Sequence, residues 1–256
     1  MSFYRPCWLT PSTMKTKADK RKITVQLWSP LLKKLNELCA AACLNRDAYL
    51  DVVFTNEAGM LMSELDGKQN SDGAKAFIKQ CFAELKDFQQ VSFTLTTETA
   101  DALSQACDQV NVWRDAFVNR VIYFLVAKSS AIESQFDFKF QEHTDAIFDD
   151  GWEIKALLLG PRLVAIRSFI CDDPFLAIRA ALRSEYPDSG GRLHDLPLGQ
   201  PIADTSKVRG LAGFTVYLED KYVPGTQENR QWHQESEELT RMLLDDDFPT
   251  KHEGSK

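Results

Sequence analysis

The sequence predicts an α+β protein whose N-terminal half consists of two copies of one strand–helix–helix unit. The first observation is an internal repeat, because residues 22–58 align without a gap on residues 90–126. The second is apolar–polar alternation at the start of each copy, which is typical of a half-buried strand. The third is a mostly apolar stretch at the end of each copy, which is typical of a buried helix. A repeat of this kind fixes the architecture before any single element is assigned.

The first unit, residues 22–58, begins with a strand in which Val25 and Leu27 alternate with polar residues. Ser29-Pro30 suits a helix start, since serine is a good cap and proline is tolerated in the first turn. Asn45 is a good cap for a second helix. The first helix is predicted from apolar residues at helical spacing: Leu31, Leu35, Leu38, Cys39 and Ala42.

The second unit, residues 90–126, repeats this order with a strand in which Phe93 and Leu95 are the apolar positions. Thr96 and Thr97 are plausible caps for its first helix. Trp113 occupies the position that Asn45 has in the first unit, and an indole is a poor cap. Residues 59–89 join the units through a polar loop and an amphipathic helix predicted over 74–88.

One unit cannot stand alone, because a single strand leaves unpaired backbone groups on both edges. Two units solve this if their strands pair antiparallel above the four helices. In strand alternation, in strand-to-helix spacing and in the Arg-x-Ala start of the second helix, residues 22–58 and 90–126 resemble the ribbon-helix-helix family of DNA-binding proteins (the Arc, MetJ and CopG type). Members of that family are usually homodimers, whereas this chain would carry both units as a covalent pseudo-dimer.

The resemblance implies that the polar phase of the two strands enters the major groove of double-stranded DNA, where base edges can be distinguished. Lysine can donate to guanine, glutamine can pair with adenine, and threonine or serine can contact several bases. The expected base contacts are Lys22, Thr24, Gln26, Gln90, Ser92 and Thr94.

The resemblance also implies that the N-termini of the second helices hold phosphates beside the strands. The phosphate contacts expected at these helix starts are Asn45, Arg46, Trp113 and Arg114. The basic arm before the first strand is expected to add Lys20 and Arg21, since lysine and arginine displace counterions from the duplex. Asp47 and Asp115 place negative charge in the same first turns, and this charge is expected to repel phosphate. Because the paired strands differ, the preferred DNA element is expected to be non-palindromic.

The net charge of −7 is unevenly distributed. Residues 1–128 hold 16 lysines and arginines against 14 acidic residues, and residues 129–256 hold 14 against 23. We therefore predict a basic N-terminal arm at 1–21, a DNA-binding domain at 22–128 and an acidic α+β C-terminal domain at 129–256 of no recognised family. In the last of these we expect a strand at Phe214–Leu218 and an amphipathic helix at Glu228–Leu244.

The sequence indicates no enzyme, cofactor or metal site, since its four histidines are scattered and no phosphate-binding glycine loop is present. The six cysteines form no CxxC pair, and no apolar run is long enough to span a bilayer. These features predict a cytoplasmic protein that does not enter the membrane.

The predicted function is sequence-specific binding of double-stranded DNA, as a transcriptional repressor that forms homo-oligomers through its C-terminal domain. An accessory DNA-binding protein of plasmid transfer or partition is a close alternative. The alternative from another class is an antitoxin-like interaction module, in which the acidic helix at Glu228–Leu244 docks on a partner protein.

Overall fold

The structure, a computed structural model, describes residues 19–128, 130–132, 175–195 and 213–245. Strand β1 (Lys20–Trp28) is followed by α1 (Ser29–Ala41) and α2 (Arg46–Glu64). After α3 (Asp72–Glu84), strand β2 (Phe88–Thr96) is followed by α4 (Thr97–Gln109) and α5 (Arg114–Val126). The described part of the second half contains α6 (Leu176–Glu185) and α7 (Gln227–Asp245), with single 3₁₀ turns at Pro187–Ser189 and Asp220–Tyr222. The α+β class is confirmed.

The two strands form an antiparallel pair in which Lys20 lies opposite Thr96 and Trp28 lies opposite Phe88. The apolar phase of the alternation is the inner face, where Ile23, Val25 and Leu27 of β1 are buried together with Phe93 and Leu95 of β2. A slip of one residue would turn these side chains towards water, so their burial fixes the register.

The break between the two helices of each unit has the same geometry in both copies. Cys43 and Asn111 adopt the left-handed conformation, with φ of 56° and 49°. The N–H of the following residue, Leu44 or Val112, returns to the carbonyl of Cys39 or Cys107. This is the Schellman arrangement, which ends a helix and lets the chain turn into the next one.

The core lies beneath the inner face of the strands and is shared by both units. Helix α1 packs against α5, and α2 packs against α4, so each unit is covered by a helix of the other. The second helix of each unit is buried on most sides, as the mostly apolar sequence predicts, with Leu50, Phe54, Phe117 and Val121 in the core.

The linker forms a helix, as predicted, although α3 begins at Asp72 and ends at Glu84 rather than covering 74–88. Its cap is Ser71, whose hydroxyl accepts a hydrogen bond from the Ala74 N–H at 3.0 Å. The helix packs against α5 and places Phe82 in the core.

The predicted strand at Phe214–Leu218 is wrong, because these residues form a turn and an irregular segment that pairs with no strand. Side chains replace a neighbouring strand as hydrogen-bond partners. The Asn70 amide donates to the Val216 carbonyl at 2.7 Å and accepts from the Leu218 N–H at 3.0 Å. The carbonyl of Phe214 accepts from the Arg120 guanidinium at 3.3 Å.

The described part of the second half shares the core of the first half. Phe175, Ile178, Leu182, Leu193 and Phe214 belong to the same buried cluster as the inner face of the strands. The predicted domain boundary near residue 129 stays a prediction. Of the basic arm at 1–21, residues 1–18 lie outside the described residues.

A cluster of buried charged groups joins the two halves. Arg179 on α6 donates to Glu57 at 2.9 Å and to Glu64 at 2.9 Å, both on α2. The backbone N–H of His194 donates to Glu64 at 2.6 Å, and its ring Nε2 lies 2.7 Å from Glu57. Arg120 on α5 is fully buried and also donates to the Leu193 carbonyl.

The cluster holds two carboxylates and two guanidinium groups, so that the buried negative and positive charges are equal in number and lie close together. Burial alone would raise the pKa of Glu57, but hydrogen bonds and opposite charges from His194 and Arg179 outweigh it and bring the pKa below its usual value. Burial also lowers the pKa of Arg120 to about 9, so this arginine still carries a charge near pH 7.

None of the helices that the structure describes has the length and apolar character needed to cross a bilayer.

Candidate nucleic-acid interface

The outer face of the two strands is a polar surface formed by three opposed pairs. Because side chains alternate along a strand, the residues that point away from the core are every second one. The register places Lys22 opposite Thr94, Thr24 opposite Ser92 and Gln26 opposite Gln90. We call these six residues the ribbon face. Thr94 is half-buried, and the other five are exposed.

The centre of the ribbon face is ordered by a side-chain contact. The hydroxyls of Thr24 and Ser92 lie 3.1 Å apart and form a hydrogen bond across the strands. The expected base-contact residues are thus brought together on one accessible surface. Whether they touch DNA stays a prediction.

Each second helix begins beside the outer edge of the other unit's strand. The Asp47 carboxylate on α2 accepts a hydrogen bond from the Thr94 N–H at 2.9 Å. At the equivalent place on α5, Asp115 accepts from the Gln26 N–H at 3.1 Å. An outer strand edge has free N–H groups, so these two carboxylates satisfy donors that would otherwise have only water as a partner.

A second contact, one helical turn later, strengthens each attachment. Asp51 accepts from the Thr96 N–H at 2.7 Å, and its equivalent Asn119 accepts from the Trp28 N–H at 2.9 Å. The Asn119 amide also donates to the Gln26 carbonyl at 2.8 Å. The strand edges are therefore fastened to the helices at four backbone N–H groups.

This role of Asp47 and Asp115 was not predicted from the sequence, in which the two residues indicated only charges that repel phosphate. The signal was present in the repeat itself, since Arg-Asp-Ala occurs at 46–48 and again at 114–116. Burial raises the pKa of Asp115, although the Gln26 N–H and Arg114 oppose the shift. This partial burial shows that the carboxylate faces the strand edge more than the solvent.

The arginine before each aspartate lies along the same edge. Arg114 donates to the Thr24 carbonyl at 2.7 Å, and Arg46 lies 3.5 Å from the Ser92 carbonyl. Thr24 and Ser92 are the central pair of the ribbon face. The arginine side chains stay 28% and 39% exposed for Arg46 and Arg114, so each guanidinium borders the ribbon face and remains accessible.

The two helix starts differ in their caps. Asn45 accepts a hydrogen bond from the Ala48 N–H at 3.0 Å, which confirms it as the cap of α2. Trp113 makes no side-chain cap contact and packs edge-on against Phe82, with ring centres 4.6 Å apart. Lys79 on α3 lies 5.8 Å from the Trp113 ring and is exposed. The start of α5 thus lies beside helix α3, which places the Lys79 ammonium close to it.

The remaining expected phosphate contacts, Lys20 and Arg21, lie at the N-terminal end of β1. Lys20 is exposed and is followed by Arg21, whose guanidinium pairs with Asp101 on α4 at 2.6 Å. This pair is exposed and contributes little to stability. Arg21 therefore leans towards α4 and lies apart from the helix starts that border the ribbon face.

Within the described ranges, no group of three or more histidine, cysteine or acidic residues could hold a metal ion. Burial raises the pKa of the Cys107 thiol to about 12, which keeps it protonated and unreactive near neutral pH.

No protein-family model, curated protein or solved structure matches this chain. The functional proposal therefore depends on the residues and on their arrangement.

Proposed function

We propose that this protein binds double-stranded DNA by placing the ribbon face in the major groove, as a tandem ribbon-helix-helix pseudo-dimer. The observation that carries the proposal is the alignment of six polar side chains in three opposed pairs on one exposed, two-stranded surface. A two-stranded ribbon fits the width of the major groove. The residue types present are those that pair with base edges there.

The edges of the ribbon support the same proposal. The N-termini of α2 and α5 lie on opposite edges, and each brings an accessible arginine to the border of the ribbon face. Helix N-termini and arginines both attract phosphate. A duplex seated on the ribbon would therefore have its two backbones beside α2 and α5, where Asn45, Arg46, Trp113 and Arg114 lie.

The distribution of charge favours the same face. The first 128 residues carry a net positive charge, whereas the second half carries the excess of acidic residues. Lys20 and Lys22 add exposed cations at one end of the ribbon. Binding of DNA through this half releases counterions, which predicts an affinity that falls as salt rises.

The proposal is tested by fluorescence anisotropy with random-sequence duplexes at 50 mM and 200 mM salt. We expect binding that weakens with salt, and Lys20→Ala should weaken binding to all sequences and reduce the salt dependence by about one counterion. Gln26→Ala should instead reduce preference among sequences by roughly 5- to 150-fold, because one good base contact discriminates by about 1–3 kcal/mol.

The matched control is Lys33→Ala, which removes an exposed charge on α1 away from the ribbon face. It should change the affinity little. The proposal fails if the wild-type protein does not bind duplex DNA, or if Lys33→Ala and Lys20→Ala reduce the salt dependence equally.

Repression of transcription is the biological role that best fits a protein that binds specific DNA sequences in this way. Accessory DNA binding in plasmid transfer or partition is the close alternative. One ribbon reads few base pairs, so useful specificity requires several chains on one DNA. We propose that the acidic second half provides that homo-oligomeric assembly.

Helix α7 favours a second candidate function, a docking site for a partner protein. From Arg230 to Thr240 nearly every side chain whose placement is described is exposed, including Glu235, Glu237 and Glu238. Changing these three glutamates to glutamine should leave duplex binding intact and weaken partner binding if α7 is the docking site. Mass spectrometry would identify the proteins that the wild type retains and those that the variant retains, and the two sets would be compared.

A further inference from the structure

The repeat and the strand register together locate a pseudo-twofold axis. Equivalent residues of the two units are 68 positions apart, so Thr24 corresponds to Ser92. The register places these same two residues opposite each other. A residue that faces its own equivalent lies on the axis that relates the two copies, so the axis passes between Thr24 and Ser92.

The two ends of the ribbon face are therefore related to each other by this pseudo-twofold axis. Rotation about the axis moves Lys22 onto Gln90 and moves Thr94 onto Gln26. One end of the ribbon carries Lys22 with Thr94, and the other end carries Gln26 with Gln90. A homodimer would present the same pair at both ends, whereas this chain presents two chemically different pairs.

The centre and the ends of the ribbon face differ in what they can read. The hydroxyls of Thr24 and Ser92 are bonded to each other, which leaves each of them fewer hydrogen bonds to offer to a base. Along a strand, residues 22 and 26 are about 13 Å apart, which is roughly four base-pair steps. The end pairs can thus address different base pairs on either side of the centre.

The chemistry of the end pairs differs in a defined way. A lysine ammonium has only donors, and it matches the two acceptors of guanine, O6 and N7. A glutamine amide has a donor and an acceptor, and it matches N7 and the amino group of adenine. Two glutamines opposite each other can address adenines on both strands.

The charged groups around the two ends of the ribbon face also differ. Beyond Lys22 the strand continues into Arg21 and Lys20. At the glutamine end the neighbouring groups are Ser29 and Asp87, which are hydrogen-bonded to each other at 3.0 Å. Arg21 is paired with Asp101. Among the six residues of the ribbon face Lys22 is the charged one, so the lysine end of this face is the more positive.

Given the proposed DNA binding, on which this inference rests, we infer that the chain reads an asymmetric element with guanine on the Lys22–Thr94 side and adenine on the Gln26–Gln90 side. The register and the repeat determine the orientation of the element relative to the protein.

The experiment is selection from a random-duplex library with three full-length proteins. The first is the wild type. The second, Lys22→Gln with Thr94→Gln, gives both ends the glutamine pair. The third, Gln26→Thr with Gln90→Lys, gives both ends the lysine–threonine pair. Of the four exchanged positions, three are exposed and Thr94 is half-buried, and circular dichroism and thermal unfolding verify folding.

We expect the wild type to select an asymmetric element. The second protein should select a palindrome with adenine on both sides, and the third a palindrome with guanine on both sides. In the wild type, exchanging guanine for adenine on the lysine side should weaken binding about fivefold or more. Lys33→Gln, with the same loss of charge as Lys22→Gln, should select the wild-type element.

The inference is overturned if the wild type selects a palindrome, if either symmetrised protein keeps the asymmetric element, or if binding shows no sequence preference. The first two results would leave the proposed function standing, because the protein would still select a preferred duplex sequence. Binding without sequence preference would count against reading by the ribbon face as well. A wild type that captures no duplex from the library would overturn the proposed function as well.

Discussion

Asp47 and Asp115 show how one residue type in a repeated position holds the ribbon to its support. Each carboxylate accepts a strand N–H from the other unit and pairs with the arginine before it. The interaction is reciprocal, because α2 holds β2 and α5 holds β1. The ribbon is thus fixed between the two units by side chains as well as by its own hydrogen bonds.

Replacing Asp47 by alanine should lower the free energy of unfolding by about 1–3 kcal/mol, because the partly buried Thr94 N–H loses its partner. Urea unfolding at pH 7 measures this. Asp66→Ala is the matched control, since Asp66 is exposed, and should stay within about 0.5 kcal/mol of wild type. Equal effects of the two changes would show that Asp47 does not support the strand.

The buried charges add a dependence on pH that can be assigned to one residue. The pKa of Glu57 lies below its ordinary value of 4.5. A carboxylate with a lowered folded-state pKa stabilises the fold above the unfolded-state pKa, and this contribution is lost as pH falls below about 4.5.

Glu57→Gln should therefore be less stable than wild type at pH 7, by about 3–5 kcal/mol, because it leaves Arg179 in the core without its full counter-charge. As pH falls from 5 towards 3, the difference in unfolding free energy between wild type and variant should shrink. Urea unfolding across this range provides the measurement. A difference that stays constant with pH would contradict the assigned role.

At the scale of elements, the segment at 213–218 is held in place by hydrogen bonds from side chains, whereas a strand is held by the backbone of a neighbouring strand. Asn70 and Arg120 hydrogen-bond to three of its backbone groups, and Gly213 runs close to Phe82 of α3. Gly213 makes that approach possible. A Cβ at this position would lie 2.5 Å from the Phe82 backbone nitrogen, and backbone cannot move aside cheaply.

Gly213→Ala should therefore lower the unfolding free energy by more than 1 kcal/mol and separate the segment from α3. Gly59→Ala is the matched control, because a Cβ on Gly59 of α2 meets no atom within 4 Å. It should raise stability by about 0.5–1 kcal/mol, since alanine favours helix. Thermal unfolding compares the two, and a stabilising Gly213→Ala would show that the close approach is absent.

The elements that could be predicted from sequence are those with a local signal. The alternation around Val25 and Phe93 indicated the strands, and Asn45 indicated a helix start. The segment at 214–218 has the composition of a strand, but its partners are Asn70 and Arg120, which are distant in sequence. The clamping role of Asp47 and Asp115 was likewise missed, since it depends on which strand edge each helix meets.

At the scale of the whole molecule, the described parts of the two halves meet in one core. Phe214 packs against Trp28 at the end of β1, against Phe82 of α3 and against Tyr123 of α5. The Arg179 and His194 contacts with α2 reinforce this junction. A single hydrophobic cluster over the described parts of both halves predicts that these parts unfold together.

Phe214→Ala should lower the unfolding free energy of the ribbon by about 3–5 kcal/mol, although it lies more than 100 residues from either strand. Hydrogen exchange of the β1 and β2 amides measures the effect. Leu176→Ala, at an exposed position of α6, should cost less than about 1 kcal/mol. Two separate unfolding transitions, with the strand amides unaffected by Phe214→Ala, would show that the halves are independent.

The covalent joining of the two units has an evolutionary consequence. In a dimer of identical chains, every substitution in a strand is made twice, so both ends of the recognition surface must change at once. Here Lys22 and Gln90 are encoded separately although they occupy equivalent places. Under the proposed function, one gene could therefore alter one end of the ribbon face while the other end kept its DNA contacts, so that recognition could diverge one substitution at a time.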